Sequence, residues 1–254
     1  MDSKVLPKLS IITVSRNSEA FIEETIKSVI SQTYFDIEYI IIDGLSTDNT
    51  VEIIKKYQDK IYSWVSEKDN SMYDAINKGI QKCSGDYVWI LNSDDYLPNN
   101  NTVANIMNVI YLYPKKIAFY GNIYIDSAVK VKLRRTFQVT KKELLLSEHG
   151  SFVPHPALIV NKRLLDKIPV YDTTFKYASD YDYILNLFEI GELKYINLAF
   201  SVFRRHPGSI TSSGKIESER LAILHKHSYF QYSKLERQIY YFSGWLRYKI
   251  INLI

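Results

Sequence analysis

Asp94 and Asp95 stand side by side after five strand-forming residues, 87–91, in the stretch Tyr-Val-Trp-Ile-Leu-Asn-Ser-Asp-Asp. A continuous apolar run of this kind suits a strand buried on both faces of a parallel sheet. Open α/β sheets take ligands at the carboxyl ends of their strands, which is where the two carboxylates would emerge. Adjacent carboxylates in a cleft repel each other unless a cation or hydrogen-bond donors compensate. The chemistry this suggests is binding of Mg2+ or Mn2+, hard ions that take oxygen ligands and commonly also hold substrate phosphates. A solvated turn before Pro98 would use the same residues, so the surrounding elements have to decide.

Residues 9–15 read as a first strand ending at Arg16-Asn17-Ser18. Residues 19–32 place Phe21, Ile22, Ile26, Val29 and Ile30 on one helix face, with Ser18 as the expected cap and Glu19, Glu23 and Glu24 in the opening turns. Residues 38–42 form a second strand ending at Asp43-Gly44, and a helix runs from Ser46-Thr47-Asp48 to about residue 57. Residues 61–66 are a short third strand, 71–82 a helix, and Ser84-Gly85-Asp86 turns the chain into the strand at 87–91. Repeated strand–helix alternation predicts a parallel sheet with right-handed crossovers. The polar clusters Ser15-Arg16-Asn17, Asp43-Gly44, Glu67-Lys68-Asp69 and Asp94-Asp95 all follow strands, so one rim of the sheet would collect them.

The second half is less regular. Helices are expected at 100–111, 141–146 and 179–190, with Tyr183, Leu187 and Ile190 on one face of the last. Strands are expected at 117–125 and 129–137 around a turn near Asp126-Ser127, at the end of 155–160, and at 195–203 before Arg204-Arg205-His206. Residues 215–254 read as mostly helical.

The 254 residues suit one large α/β domain, or a domain with a small appendage, and 46% hydrophobic content is ample for a core. A formal charge of +4 does not argue for nucleic acid. A single cysteine, Cys83, fits a reducing compartment and helix packing. Residues 1–8 carry no apolar signal segment, and no run of 18 uncharged apolar residues occurs, so a cytoplasmic location is expected. The glycine-rich phosphate loops G-x-G-x-x-G and G-x-x-x-x-G-K-[ST] are missing, which weighs against dinucleotide and P-loop enzymes.

Ser-Ile-Ile-Thr-Val-Ser-Arg-Asn, then Ile-Asp-Gly-Leu-Ser-Thr-Asp-Asn-Thr, then Leu-Asn-Ser-Asp-Asp resembles the family-2 inverting glycosyltransferases of the GT-A fold, across about residues 9–98. A weaker match continues through Ala178-Ser-Asp-Tyr-Asp and Phe203-Arg-Arg-His-Pro-Gly-Ser-Ile. The resemblance implies a mainly parallel α/β sheet flanked by helices. It divides residues 1–214 into a donor half (1–98) and an acceptor half (99–214), followed by a C-terminal helical extension (215–254). It implies a nucleotide-sugar donor, UDP-sugars favoured, with base and ribose against Val14, Ser15, Asn17 and Asp43. Many members carry Asp-Asp where this chain has Asp43-Gly44. The segment from Asp69 to Gly79 looks like the family's donor-binding helix start, so Asp74, Asn77 and Lys78 could face the donor. Asp94 and Asp95 match the acidic metal motif, with Asp95 the expected direct ligand of Mg2+ or Mn2+. Asp180 matches the catalytic carboxylate, with Asp182 a close competitor. Arg204, Arg205 and His206 resemble a late basic motif that reaches the diphosphate or the metal.

In that chemistry a base takes the acceptor proton while metal and cations offset the charge of the leaving diphosphate. Asp180 could equally be a helix cap. His155, between Pro154 and Pro156, could line the acceptor side or be a packed loop histidine. A bacterial surface-polysaccharide pathway, with a glycan or polyprenyl-diphosphate-linked acceptor, is the implied setting. Two other readings are a sugar-nucleotide nucleotidyltransferase, which would carry a glycine-rich basic N-terminal loop, and a non-catalytic nucleotide-sugar-binding module. Finally, Ile239, Phe242, Leu246, Ile250 and Leu253 share a helix face flanked by Tyr241 and Trp245, with Arg237, Arg247 and Lys249 nearby. Residues 235–254 could therefore lie on the inner face of the cytoplasmic membrane, pack on their own domain, or meet a second subunit.

Overall fold

A computed structural model describes residues 7–147, 152–162, 170–206 and 216–253; residues 207–210 of the late basic motif and the expected start of the extension at residue 215 lie outside them. Four apolar segments form the parallel half of one sheet: β1 (Leu9–Ser15), β2 (Ile37–Asp43), β3 (Ser63–Ser66) and β4 (Tyr87–Ile90), in the order β3-β2-β1-β4. All seven residues of β1 and all four of β4 are buried, as the absence of polar alternation requires of central strands. Ser15 pairs with Asp43 and Asp43 with Ser66, so these strands end level with one another.

The crossover helices are α1 (Ile22–Ile30), α2 (Thr50–Lys56) and α3 (Met72–Lys82). Alternate strand residues feed two cores, one on each face. Ile11, Ile41 and Trp89 pack with Ile22 and Ile26 of α1, whereas Ile12, Ile40, Ile42 and Ile90 pack with Ile76 and Ile80 of α3. α1 starts three residues later than the sequence suggests, and Ser18 is not its cap. Phe21 holds the cap position without a side-chain bond, while the Ser18 hydroxyl lies 2.7 Å from that of Ser93 and ties two strand-end loops together.

The second half continues the sheet. After α4 (Thr102–Ile110) come β5 (Ala118–Asp126), β6 (Val131–Arg134), α5 (Lys141–Ser147), β7 (Leu158–Asn161), α6 (Ser179–Ile190), β8 (Leu193–Arg204), α7 (Ile216–Lys226) and α8 (Lys234–Leu253). β7 runs antiparallel to both β4 and β5, β6 is antiparallel to β5, and β8 is parallel to β5. β8 carries extra residues opposite Gly121 and Asn122. A Cβ on Gly121 would sit 2.3 Å from the Phe200 ring, so glycine lets the bulged strand close over β5. Beyond the bulge, Val202 exchanges two backbone hydrogen bonds with Tyr96, which fastens the end of β8 to the loop after β4.

The opposite rim of the parallel strands is anchored by Glu38, 1% exposed. Its carboxylate accepts hydrogen bonds from Ser10 Oγ (2.5 Å), Ser84 N (2.7 Å) and Ser84 Oγ (2.6 Å), and Lys8 Nζ lies 3.4 Å away. Burial alone would raise its pKa, but the serine donors and the Lys8 charge prevail and hold it below the ordinary 4.5. A folded-state pKa below the unfolded one means stabilisation that is present above the ordinary value and lost as pH falls through the folded one. Glu38→Gln is therefore expected to lower stability by roughly 1–3 kcal/mol at pH 7. Thermal or urea unfolding should show the gap from the parent chain closing as the pH drops below 4.5.

Candidate active site

The strand-end rim encloses a cavity of about 960 Å³. Its walls come from the loop after β1 (Val14, Ser15, Asn17), the start of α3 (Ser71, Tyr73), the loop after β4 (Asn92, Asp94), His155, Asp180 at the start of α6, Arg205 and His206 after β8, and α7 (Glu217, Arg220). One cavity thus brings together Val14, Ser15, Asn17, Asp94, His155, Asp180, Arg205 and His206 of the residues singled out in the sequence.

The two adjacent aspartates divide their tasks differently from the expectation. Asp94 lies on the cavity wall, with Oδ2 2.9 Å from Nε2 of His206. Asp95 is fully buried and is not on the wall. Its Oδ1 accepts the backbone N–H of Arg204 at 3.1 Å, and its backbone carbonyl accepts the Thr25 hydroxyl at 2.7 Å. Burial, with Asp94 beside it, pushes its pKa well above the carboxylate range. In this structure Asp95, the expected direct metal ligand, braces the loop from inside, and Asp94 is the half-buried carboxylate on the cavity wall.

Asp180 occupies the second position of α6, and its Oδ1 accepts Tyr73 Oη–H at 3.2 Å and Tyr181 N–H at 2.9 Å. Tyr171 stacks between Tyr73 and Tyr183, with ring centroids 5.7 and 4.0 Å apart. Its hydroxyl lies 2.8 Å from His155 Nε2. Burial raises the pKa of all three phenols and lowers that of His155, so this wall carries neutral groups around Asp180 at neutral pH.

Seven other sequence candidates sit off the cavity wall, among them Lys78, which bonds the Lys68 carbonyl at 2.8 Å and pairs with Glu67 at 3.2 Å. Asp43 is wholly buried and accepts hydrogen bonds from Ser15 Oγ, Ser46 N, Ser46 Oγ and Ser66 Oγ. Asp74 accepts Asn70 N at 2.9 Å and closes the start of α3, whose Ser71 hydroxyl caps Asp74 N at 3.1 Å. Asn77 clamps the backbone of Tyr171 through two bonds, at 2.9 and 3.0 Å. Arg204 lies between the rings of Phe21 and Tyr96 and pairs with Glu24. Asp95 braces its loop as described above. Asp182, 1% exposed, accepts Lys226 Nζ at 2.9 Å and His227 Nε2 at 3.0 Å, and these bonds hold its pKa down against burial. It joins α6 to the end of α7, whereas Asp180 lines the cavity.

Some contributors had weak signals in the sequence. Asp69 lines the cavity, and burial raises its pKa although Arg16 and Lys78 oppose this. A Cβ on Gly44 would stand 2.2 Å from Asp69 Oδ2, so the glycine after Asp43 makes room for this carboxylate. Asn92 lines the cavity and has a buried side-chain oxygen with no hydrogen-bond partner among the described residues. Glu219 of α7 accepts the backbone N–H groups of Lys176 (2.7 Å), Tyr177 (2.9 Å) and Ala178 (3.0 Å). Ala178 is the N-cap of α6 and makes no side-chain cap, so a carboxylate from another helix satisfies the donors ahead of Asp180.

Residues 10–173 match the family model described as Glycosyl transferase family 2. The chain belongs to this family. An uncharacterized glycosyltransferase of Mycobacterium tuberculosis is 33% identical over 181 residues, 70% of this chain and 68% of that protein. The UDP-Glc:alpha-D-GlcNAc-diphosphoundecaprenol beta-1,3-glucosyltransferase WfaP of Escherichia coli is 30% identical over 213 residues, 81% of this chain and 80% of its own length. The crystal structure of S. aureus TarS 1-349 in complex with UDP superposes with a TM-score of 0.70 at 18% identity, covering 92% of this chain and 69% of that one. A mannosyltransferase of Pyrobaculum calidifontis in complex with GDP-Man and Mn2+ gives 0.64 at 17% identity, covering 91% and 66%. The fold is GT-A, and the protein is a family-2 glycosyltransferase. Membership favours sugar transfer over the nucleotidyltransferase and binding-module readings.

In this glycosyltransferase two carboxylates on one helix should respond in opposite ways. Asp182→Asn is expected to cost roughly 1–3 kcal/mol of stability, seen as a lower thermal midpoint. Asp180→Asn should leave that midpoint nearly unchanged. Glu219→Gln weakens the cap without entering the cavity, so kcat should fall while KM for the donor stays within about twofold.

Proposed function

We propose that the chain moves a sugar from a nucleotide-diphosphate donor, a UDP-sugar first, to a hydroxyl of a polyprenyl-diphosphate-linked glycan, inverting the anomeric carbon. The observation that carries this is the presence on one cavity of a half-buried carboxylate–imidazole pair, Asp94 and His206, and a separate carboxylate, Asp180. The UDP-bound TarS structure and the UDP-Glc donor and diphosphoundecaprenol acceptor in the WfaP name support the choice of substrates. Residues 1–98 would serve the donor and 99–214 the acceptor.

No cluster of three or more Asp, Glu, His or Cys that could hold a metal occurs among the described residues. Asp94 and His206 supply two ligands, which suits Mg2+ or Mn2+ sharing its coordination with substrate phosphates and water. Asn92, with its unused oxygen, lies on the same wall. These residues fit a divalent ion, and when bound it would offset the charge of the leaving diphosphate.

The remaining steps belong to the chain. Val14, Ser15 and Asn17 flank the nucleoside, with Asp69 beside them, and Asp43 sets their loop from behind. Arg205 brings a positive charge to the diphosphate. Asp180, oriented by Tyr73 and the Tyr181 N–H, accepts the acceptor proton as its oxygen bonds to the anomeric carbon from the face opposite the departing diphosphate. His155 and the tyrosine stack form a neutral wall on the acceptor side.

The experiment is metal-dependent binding and turnover across UDP-, GDP- and dTDP-sugars. One donor should bind only with Mn2+ or Mg2+, and Asp94→Ala should abolish that binding. Asp180→Asn should keep it and lose transfer by roughly 10²–10⁴-fold. Full turnover in Asp180→Asn would overturn the base assignment, and no binding of any nucleotide sugar with any metal would overturn the whole reading.

A further inference from the structure

α8 has two opposite apolar faces, and the protein uses one. On the used face, a Cβ on Gly244 would meet Ser147 Cβ at 2.8 Å and Phe152 Cε2 at 3.1 Å, so glycine lets the helix press onto α5. Arg247 pairs with Glu143 at 2.7 Å and lies 4.1 Å over the Phe137 ring, and Asn252 bonds the backbone of Arg135 on both sides, at 2.9 and 3.1 Å. On the opposite face, Leu235, Ile239, Phe242, Leu246, Ile250 and Leu253 recur at spacings of three and four and are between 42% and 81% exposed. They form one stripe roughly 27 Å long at 1.5 Å per residue. A continuous apolar surface of this kind marks an interaction site.

Charge selects the occupant. On α8, Arg237 lies over the Tyr229 and Phe230 rings and Arg247 is paired with Glu143 on the packed face, which leaves Lys234 and Lys249 exposed, and the helix's single acid, Glu236, is paired with Lys142 at 3.1 Å. Lys249 lies beside the stripe, 5.8 Å over the Trp245 ring. The β5–β6 hairpin, adjoining the segment that Asn252 holds, repeats the pattern with Val129 (95% exposed), Val131, Lys130 and Lys132. A second copy docked stripe to stripe would set these cations against one another, whereas anionic headgroups match them. Arg134 lines the active-site cavity and lies 5.9 Å from the Tyr248 ring, so α8 abuts the cavity wall. No helix among the described residues is long and apolar enough to cross a membrane, so the helix would lie in the interface plane.

We propose that the outer stripe of α8, together with the β5–β6 hairpin tip, docks the enzyme on a bilayer containing anionic lipid. This presents the cavity to a lipid-linked acceptor, and in that respect it deepens the transfer reading.

The test is co-sedimentation of the full chain with vesicles of phosphatidylcholine alone or with about one third phosphatidylglycerol, at low and high salt. Binding to the anionic vesicles is expected, with a roughly tenfold or greater loss on neutral vesicles, in high salt or in Lys130→Glu/Lys132→Glu. Phe242→Glu/Leu246→Glu should abolish it while thermal unfolding stays that of the parent. If that pair disturbs folding, Ile239→Ser/Ile250→Ser serves the same purpose. Failure of the parent chain to sediment with anionic vesicles would overturn the proposal. So would a dimer in sedimentation velocity that Phe242→Glu splits, which would give the stripe to a second copy. The vesicles contain neither donor nor acceptor, so this outcome is independent of whether sugar transfer is correctly assigned.

Discussion

The site depends on the buried Asp95 carboxylate that accepts the backbone N–H of Arg204. The bond joins the loop after β4 to the end of β8, segments 109 residues apart. Together with the two backbone bonds between Tyr96 and Val202, it sets where Arg205 and His206 leave the sheet. His206 can then stand 2.9 Å from Asp94. A buried carboxylate is costly unless donors surround it, and burial beside Asp94 raises its pKa.

The strand ends were legible because parallel strands buried on both faces leave an unbroken apolar signature, and their polar successors must share a rim. Residues 9–15 and 179–190 fall where the sequence placed them. The order of Asp94 and Asp95 was not legible. Both sit in a turn, where no two-residue alternation tells the inward residue from the outward one. Asp43, Asn77 and Asp182 raise the same difficulty. A polar residue near an element's end could face a ligand or a distant part of the chain, and each of these three has a partner between 23 and 94 residues away. Asp69 was visible as part of a polar cluster, but its place depends on the missing side chain of Gly44.

α6 shows why Asp180 is harder to read than the acidic pair. A helix begins with unpaired N–H groups, and a local Ser, Thr, Asp or Asn usually meets them. Here the cap position is Ala178, and the donors ahead of it are met by Glu219, 41 residues beyond. Farther along α6, Asp182 binds Lys226 and His227 at the far end of α7. The first turn of α6 is thus gripped at two points by α7, with Asp180 between them. The sequence offers Asp180 and Asp182 as rivals, whereas the tertiary structure places Asp180 on the cavity and Asp182, with Glu219, in the grip.

The wall beside Asp180 is neutral. Tyr73, Tyr171 and His155 hydrogen-bond and stack without carrying charge at neutral pH, because burial disfavours their ionised forms. Asp180 is thus held by neutral groups, with Glu217 and Arg220 of α7 lining the same cavity. The Arg205 cation and the His206 imidazole come instead from the end of β8, beside Asp94. The cavity thus draws Asp94, Arg205 and His206 from the parallel strand ends and β8, and Asp180 from the α3–α6–α7 junction.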